Sequence, residues 1–555
     1  MRRSMKTSVS LALTAALAAG LLSACGSSTT AATTAAATTA AAETGSKAEE
    51  TTAAATEHNS IINAALGSAW ADLIPYNAAS GGYITSAIHG MLYERLFYVA
   101  QDGTITPRGA DSWEIADDAK SIVFHLNHDV CWDDGEPVTA QDYVFAAKMI
   151  TSPDCPANQR SPYSLITGCD GSGYSEGGEI GAEAVDDYTL KYTFKDIIAE
   201  DVTFPSYLYI IMPLPEHLLA DVAPADYLTQ DLWNHPVSCG PLSFESMIAG
   251  SDLVLNANKN YHMGAPKFSQ LHFQVMATTN QASAMISGDI DFCYPNMTAD
   301  DIEVMETADN LIVKRAEVPT LPYYLCVNQL VFNDYRINKA LSLAIDREAI
   351  AASWGDSSPI VSPVLMSTKY YKEYDAAQDL EAAKALLEEA AADGSIDLSQ
   401  TYTLYTPSGR REAASAIMQQ CFAEIGLNVE IQVVEAATMF AGFADGTTGF
   451  GMVGMNCGAN PLYLKSQLTN DAYNFSNVQD DTWDGYYDRF MKASSDDERM
   501  QIVSEYQDEF AEKEPMVFYN AVNEDWAWNK RLGDDIHLVD ILYGALPVWD
   551  WDVQD

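Results

Sequence analysis

A helical pattern that passes directly into a strand pattern is the feature that most constrains the fold of this chain. In the stretch REAASAIMQQCFAEIG, which ends at Gly426, the apolar residues that recur at helical spacing are Ala414, Ile417, Met418, Cys421, Phe422 and Ile425. The stretch LNVEIQVV follows at once and places apolar side chains at alternate positions, at Val429, Ile431 and Val433. Helices that lead directly into strands are typical of α/β proteins, so we predict an α/β fold.

Two further segments carry the same signals elsewhere in the chain. SIVFHLNHDV alternates as a strand does and turns Phe124 and Leu126 toward a core. DYRINKALSLAIDREAI is typical of a helix capped by Asp334, with an apolar face formed by Ile337, Leu341, Ala344 and Ile345. These signals alternate without an internal repeat, which favours a globular α/β protein.

The first 24 residues have the pattern of an export signal. Arg2, Arg3 and Lys6 precede the uncharged run VSLALTAALAAGLLSA, which is shorter than the roughly 18 to 20 apolar residues of a spanning helix. The run ends at Cys25 in LSAC, which resembles the lipobox of bacterial lipoproteins. We therefore expect residues 1–24 to be removed and Cys25 to carry lipid at the outer face of the cytoplasmic membrane, the periplasmic side in a Gram-negative cell. An ordinary cleaved signal with an incidental Cys25 is the alternative.

Residues 25–60 are nearly all Ala, Thr, Ser and Glu. Because almost no apolar side chain here is larger than alanine, burial cannot offset the entropy cost of ordering the segment, and we predict a flexible linker. The body, residues 61–555, is long enough for two or three domains.

The charge of the chain argues against a nucleic-acid partner. Without residues 1–24, 27 basic residues face 78 acidic ones, a net charge of −51, whereas binding to phosphates depends on Lys and Arg. The sequence has neither a CxxC pair nor an HExxH motif, so we predict no zinc or redox site and no cofactor. Cys155 and Cys169 flank one loop and either form a disulfide or stay reduced.

The stretch CWDDGEPVTAQDYVF carries four acidic residues and raises the question of an acid/base site. Asp134-Gly135 and Pro137 are typical of a turn, and Thr139 with Asp142 three residues later matches a capping box at the start of a helix. Carboxylates before a helix also stabilise its positive end. Nothing in the stretch separates the pKa of one carboxyl group from that of another, so we interpret these acids as structural.

The same region also carries a family resemblance. IHGMLYERLFYVAQDGTITPRGADSWEIADDAKSIVFHLNHDVCWDDGEPVTAQDYVFAAK resembles the signature of the peptide/nickel-type (family 5) extracellular solute-binding proteins. Further matching blocks follow in the family's order: AVDDYTLKYTF, CGPLSFES, LNANKNYHMGAPKFSQLHF, AMISGDIDF, VFNDYRINKALSLAIDREAI and EPMVFYN. The resemblance covers nearly all of the body. It implies a periplasmic-binding-protein-like fold of the three-domain type, with two lobes, mixed sheets and hinge strands between the lobes.

By position, the resemblance implies a discontinuous first domain of residues 61–98, 201–318 and 515–555. A small second domain would span residues 99–200, and the third domain, which forms the second lobe, would span residues 319–514. The implied role is capture of a ligand by hinge closure and its delivery to the permease of an ABC importer. The chain lacks GxxxxGK[ST], so the ATPase subunits would be separate proteins. We expect a monomer with oligopeptides as cargo; an oligosaccharide or a chelated metal, as nickel or haem, is the alternative ligand.

Peptide-binding members of this family carry a W-x-x-D-Y-x-D/E-P motif, whose aspartate pairs with the α-ammonium of the peptide in a strong charge-assisted contact. The corresponding place here is FGMVGMNCGANP, and alignment on Pro461 puts Cys457 at the aspartate and Asn460 near the second acid. The expected carboxylate is therefore missing. Either Asn456 or Asn460 supplies a neutral acceptor, or the ammonium is bound elsewhere, or the ligand has no free amino group. A further alternative is that this strand only packs and the site lies on its neighbours.

Four aromatic residues are further candidates for the ligand site. Tyr323 and Tyr324 begin the second lobe near the expected hinge, where they line the cleft or belong to the core. Trp526 and Trp528 alternate as in a strand, so both face one side, which is again cleft or core. Aromatic walls suit peptide side chains and sugar faces alike. The nine histidines are scattered, which weakens the metal alternative.

The string GYSEG, with Ser175 at its centre, matches the nucleophile-elbow pattern G-x-S-x-G. That pattern requires a strand before it and a helix after it, whereas here it lies in the glycine-rich stretch CDGSGYSEGGEIG. We therefore predict that the chain is not an enzyme. An exported serine hydrolase is the remote alternative, and an adhesin without a small ligand is another.

Overall fold

The computed structural model describes residues 60–555 except 71, 78–81, 101–103, 295–297, 316–318, 367, 455–473, 524, 535, 537–546, 552, 554 and 555. Within these residues the strands, in chain order, are β1 Ile61–Leu66, β2 Phe97–Val99, β3 Ile105–Pro107, β4 Ala110–Ile115, β5 Ser121–Leu126, β6 Ala182–Asp186, β7 Thr189–Thr193, β8 Leu242–Ile248, β9 Asp252–Ala257, β10 Gln270–Val275, β11 Phe292–Tyr294, β12 Leu311–Lys314, β13 Leu321–Val327, β14 Ser357–Pro359, β15 Thr401–Thr406, β16 Asn428–Val433, β17 Phe450–Gly454, β18 Val517–Val522 and β19 Trp526–Asn529.

The helices of the same part of the chain are α1 Gly82–Leu92, α2 Ala140–Thr151, α3 Glu200–Ser206, α4 Glu216–Leu219, α5 Thr278–Ser287, α6 Ala299–Met305, α7 Tyr335–Ala344, α8 Arg347–Trp354, α9 Leu380–Ala392, α10 Arg410–Glu424, α11 Ala436–Asp445, α12 Asp481–Lys492 and α13 Asp496–Lys513. Short 3₁₀ turns connect several of them.

Two large sheets organise these elements. The strands β12-β19-β11-β1-β10-β9-β8 form a seven-stranded mixed sheet, and β14-β18-β13-β17-β15-β16 form a six-stranded mixed sheet. Between β1 and β8 the chain forms a four-stranded antiparallel sheet, β4-β5-β7-β6, and the separate antiparallel pair β2–β3. We call the seven-stranded sheet with the elements packed on it the first lobe, and the six-stranded sheet with its elements the second lobe. Mixed sheets flanked by helices confirm the predicted α/β class.

The sheet of the second lobe is buried on both faces. Along β13, Leu325 and Val327 belong to one buried cluster, whereas Tyr324 and Cys326 belong to another. Successive side chains of a strand point to opposite faces, so each cluster covers one face of the sheet. Residues of α7 to α10 contribute to the first cluster and residues of α11 to α13 to the second.

The local patterns of the sequence are confirmed as elements of this fold. Helix α10 ends beside Gly426, which has a left-handed φ of 89°, and β16 begins two residues later. At the start of α7, the Arg336 amide donates to Asp334 Oδ1 at 2.9 Å, which is the predicted cap. On β5, Phe124 and Leu126 are buried as predicted.

The chain crosses between the two large sheets twice. Residues 315–320 connect β12 to β13, and residues 523–525 connect β18 to β19. The Thr320 amide donates to the Val522 carbonyl at 3.0 Å, and the Arg315 guanidinium lies 3.3 Å from the Asp525 carboxylate, so the two crossing segments contact each other.

The predicted domain boundary at residue 515 falls just before β18, which pairs with β13 and β14 of the second lobe. The chain reaches the first-lobe sheet at β19. The division into three domains stays a prediction.

Candidate functional site

The edge of the second-lobe sheet that adjoins the crossing segments holds the carboxyl ends of its parallel strands. The parallel strands β15, β16 and β17 all terminate there with their carboxyl ends, at Thr406, Val433 and Gly454. Strand β13 begins and β18 ends at the same edge, because Leu321 pairs with Val522. In open α/β sheets, ligands bind beside the carboxyl ends of parallel strands.

The first-lobe sheet presents the equivalent edge. The parallel strands β1, β10 and β11 end in register at Leu66, Val275 and Tyr294. Strand β19 starts at this edge with Trp526, next to the end of β12 at Lys314. Val522 and Trp526 are four residues apart in the chain, so their Cα atoms are at most about 14 Å apart. The two carboxyl edges therefore meet at the crossing segments, and the space beside them is the candidate ligand cleft.

Tyr323 lies at this edge with a half-buried side chain. Its ring packs edge-on against Trp354, with ring centroids 5.0 Å apart, and it covers Gly454 at the end of β17. The next residue, Tyr324, points to the other face of the sheet, where it is fully buried against Phe518 with centroids 5.2 Å apart. Of this pair, the fold brings Tyr323 to the cleft edge and Tyr324 into the core.

Trp526 and Trp528 both pack into the core of the first lobe. The Trp526 ring stacks on Phe292 with centroids 6.0 Å apart, and the Trp528 indole N–H donates to the Gly533 carbonyl at 2.9 Å. They share one side of β19, as the alternation of the sequence predicts, and that side packs into the larger core cluster of the first lobe.

The three residues that the resemblance places at the ammonium site, Asn456, Cys457 and Asn460, lie outside the described residues, as do Cys25, the export signal and the linker up to residue 59. The strand that precedes this segment is β17, in which Phe450 to Val453 are buried.

A pair of arginines at the start of α10 adds positive charge to the second-lobe edge. Arg410 forms two hydrogen bonds to the buried carboxylate of Asp356, at 3.1 and 3.0 Å, and its guanidinium lies 5.4 Å from the Trp354 ring centroid. Arg411 is half-buried, and no carboxylate within the described residues pairs with it. In this acidic chain Arg411 is therefore a cation without a partner in that part of the molecule.

The hydroxyl of Tyr519 lies near this charge. Tyr519 is fully buried, and in the described structure its hydroxyl makes no hydrogen bond. Burial, and to a lesser degree Tyr323, raises the pKa of Tyr519 well above its ordinary value, against the opposing charges of Arg411 and Arg410. Arg411 is therefore suited to pair with a carboxylate, whereas the Tyr519 hydroxyl is enclosed in the core.

Helix starts reinforce this positive field. Helices α10 and α11 begin directly after β15 and β16, and α5 begins directly after β10, so their amino ends lie at the two cleft edges. Amide groups at a helix start carry a partial positive charge that favours anions. The sequence shows the arginine pair as the dipeptide RR at the start of a helix. That position alone does not tell that the two arginines lie at a sheet edge.

The acidic stretch before α2 is structural, as predicted. Asp142 accepts hydrogen bonds from the Thr139 amide at 2.8 Å and from the Thr139 hydroxyl at 3.1 Å. Asp133 accepts from the Ser238 hydroxyl at 2.6 Å, and Asp134 lies 2.9 Å from the His217 ring. Asp133, Asp134 and Asp142 thus each have a polar partner within the protein, and Glu136 is exposed.

Ser175 lies in a loop that pairs with Cys169 through one bridge, and its amide donates to the Thr151 carbonyl at 2.8 Å. The strand-to-helix turn of a nucleophile elbow does not surround it. Cys155 and Cys169 are free thiols, and burial raises the pKa of Cys169 to about 11.

Within the described residues, no three His, Cys, Asp or Glu side chains come together as a metal site would require. Over the same residues, every helix is too short or too polar to cross a membrane.

Comparison with known proteins identifies the relatives of this architecture. The family model described as bacterial extracellular solute-binding proteins, family 5 Middle, matches residues 104–490. The oligopeptide-binding protein AppA of Bacillus subtilis (strain 168) is 25% identical over 493 residues, which cover 83% of this chain and 87% of AppA.

Solved structures show the same fold. The structure of AppA from Bacillus subtilis in complex with a nonapeptide superimposes with a TM-score of 0.76 at 21% identity, over 90% of this chain and 100% of that one. NikZ from Campylobacter jejuni in complex with Ni(L-His) superimposes with a TM-score of 0.73 at 18% identity, over 88% and 99%. The predicted two-lobed periplasmic-binding-protein fold is confirmed by these similarities.

Proposed function

The chain belongs to the family 5 bacterial extracellular solute-binding proteins, and we propose that it captures oligopeptides between its two lobes by hinge closure. In this proposal the closed complex delivers the peptide to the membrane permease of an ABC importer, whose ATPase subunits are separate proteins. The role of the chain itself is binding and not catalysis.

The observation that carries the proposal is the meeting of two carboxyl sheet edges at two short crossing segments. A ligand beside both edges touches both lobes, and its contacts with the second lobe form only when the lobes approach. Such differential contacts stabilise the closed form over the open one. The pairing of Arg315 with Asp525 supports a hinge in which the two crossing segments move together.

Oligopeptides are supported as cargo by the relatives and by the second-lobe edge. AppA of Bacillus subtilis is an oligopeptide-binding protein, and the match covers most of both chains. Arg411 offers a cation to a peptide carboxylate, and Tyr323 offers an aromatic face to a side chain. The α-ammonium would be held by Asn456, by Asn460 or by a group elsewhere, since Cys457 stands at the position of the family's aspartate.

The body would be held at the outer face of the cytoplasmic membrane by lipid on Cys25 after removal of residues 1–24. Residues 25–60 would form the linker, and the receptor would act as a monomer. Mass spectrometry of the amino-terminal peptide from a membrane fraction tests this part: a diacylated Cys25 is expected, and an unmodified peptide that starts at another residue contradicts it.

Native mass spectrometry of freshly purified protein tests the cargo. We expect copurified masses that fragment as peptides, and thermal stabilisation by peptide mixtures. Ligand at about one hundred times its dissociation constant adds about 2.7 kcal/mol to the free energy of unfolding. A sugar, a nickel chelate or haem in place of a peptide overturns the peptide assignment but keeps the receptor role. Ester or peptide turnover that Ser175→Ala abolishes would replace that role with hydrolysis.

A further inference from the structure

Helix α3 lies between the buried cores of the two lobes. Phe204 is fully buried and stacks on Phe97 of the first core cluster, with ring centroids 4.6 Å apart. Val202, two residues earlier and therefore on the opposite side of the helix, is 3% exposed. The cluster that contains Val202 draws its other buried members from residues 324–521. Packing through α3 thus connects the lobes in addition to the two crossing segments.

A ring of four charged side chains surrounds this contact. The Asp201 carboxylate lies 3.1 Å from Lys369 Nζ and 3.3 Å from the Arg499 guanidinium. Both cations also bind Asp496, at 3.0 and 2.7 Å. Lys369, Asp496 and Arg499 belong to the second lobe, so Asp201 is the member that α3 contributes. Separation of the lobes at this point leaves two cations facing one carboxylate.

The second lobe reaches back toward the first through α12. Tyr487 and Met491, one helical turn apart, pack against the buried clusters of both lobes. The contact is therefore made from both sides, by α3 against the second lobe and by α12 against the first. We call these residues, together with the charged ring, the α3 contact.

The ion pairs of the α3 contact have the strength expected of reversible interactions. The side chains of Asp201, Lys369 and Asp496 remain about half exposed, whereas that of Arg499 is 8% exposed. Ion pairs with this exposure are individually weak and are screened by salt. Nearby cations lower the pKa of Asp496 to about 2, chiefly through its hydrogen bond from Lys369, so this carboxylate stays charged at neutral pH.

From this geometry we infer that the α3 contact is a clamp for the closed arrangement of the lobes, in which Asp201 sets how much of the ligand-free protein is closed. The inference rests on the proposed function in one respect, that the lobes open and close. For a ligand that binds the closed form, a smaller closed population lowers the apparent affinity in proportion.

Small-angle X-ray scattering of the full chain without ligand tests the clamp. Asp201→Asn removes the charge with little change of shape, and Asp201→Arg puts a third cation beside Lys369 and Arg499. We expect the radius of gyration to rise from wild type to Asp201→Asn to Asp201→Arg. Raising the salt concentration from about 0.01 M to about 1 M, which shortens the Debye length from about 30 Å to about 3 Å, should expand the wild type but not Asp201→Asn.

The matched control is Glu505→Gln. Glu505 pairs with Arg489 at 2.7 Å with similar exposure, but both residues lie within the second lobe, on α13 and α12. Its removal should leave the radius of gyration unchanged. Affinity for a bound peptide should fall roughly threefold to tenfold in Asp201→Asn and stay constant in Glu505→Gln.

Equal radii of gyration for wild type, Asp201→Asn and Asp201→Arg at low salt would overturn the clamp, as would an equal expansion in Glu505→Gln. If the protein binds peptide but the ligand-free radii of wild type, Asp201→Asn and Asp201→Arg are equal, the clamp alone is contradicted. Radii that shift as expected, in a protein that no peptide stabilises, contradict the peptide assignment alone.

Discussion

The ring of Tyr323 lies so close to Gly454 that a β-carbon at residue 454 would be 2.7 Å from the Tyr323 Cε1 atom. The two residues are register partners at the cleft edge of the second-lobe sheet, where β13 begins and β17 ends. The half-buried ring also packs on Trp354. Its position at the proposed ligand cleft therefore depends on a glycine at residue 454.

Gly454→Ala should displace this ring. We expect a loss of about 1 to 3 kcal/mol in the free energy of unfolding, typical of overpacking, together with weaker ligand binding. Thermal unfolding and calorimetric titration measure the two effects. In a Tyr323→Leu background, Gly454→Ala should lower the free energy of unfolding clearly less. An identical loss in both backgrounds would show that the Tyr323 ring does not contact the side chain at residue 454.

Substitution of Arg410 should affect stability, whereas substitution of Arg411 should affect ligand binding. Arg410→Ala leaves the buried carboxylate of Asp356 without its cation and should cost about 3 kcal/mol of stability, the low end for a broken buried pair because Arg410 is partly exposed. Arg411→Ala should leave the unfolding temperature nearly unchanged and weaken binding of peptides with a free carboxylate. Titration with amidated peptides is the check. If Arg411→Ala weakens the binding of amidated peptides as much as that of peptides with a free carboxylate, Arg411 does not bind the carboxylate.

Acid should destabilise the cap of α7 in a defined pH window. Hydrogen bonds from Arg336 lower the pKa of Asp334 from 3.8 to about 2. The folded protein therefore gains stability above the ordinary pKa and loses it as the pH falls from about 3.8 to about 2. Asp334→Asn keeps a good cap but removes the titration, so its free energy of unfolding should fall about 1 kcal/mol less than that of wild type across this window. Denaturant unfolding at several pH values measures this, and parallel curves would refute it.

The acidic stretch before α2 should affect folding and not binding. Asp142→Ala removes the acceptor of the Thr139 amide and should cost about 1 kcal/mol of stability, the usual value for a helix cap. Glu136→Gln, at an exposed position of the preceding turn, is the control and should change little. Ligand affinity should stay constant in both; a large loss of affinity in either variant would restore a functional role for these carboxylates.

Local features of the fold were predictable from the sequence, because they depend on neighbours in the chain. The capping box of Thr139 and Asp142 and the passage from α10 into β16 each lie within a short segment and are found where their patterns place them. The sequence did not tell which of Tyr323 and Tyr324 is buried in the core. Alternation places the two side chains on opposite faces of the strand but does not tell which face is buried.

Contacts between distant segments were beyond sequence patterns. The ion pairs of Asp201 join it to residues 168 and 298 positions away, and no periodicity links such positions. In the sequence, Arg411 is distinguished only by its place at a helix start. The order of the strands in the sheet is what brings it near Tyr519 at the cleft edge. A role of Asn456, Cys457 or Asn460 in place of the missing aspartate stays a prediction, as does binding of the ammonium elsewhere.

The most direct test of the central claim is the change in radius of gyration when ligand-free protein is saturated with an oligopeptide mixture. Closure of two lobes on a peptide predicts a smaller radius with peptide than without it, and a peptide signal in the mass spectrum of the same sample. Peptide binding with an unchanged radius, or compaction caused only by a sugar or a metal chelate, would contradict the account.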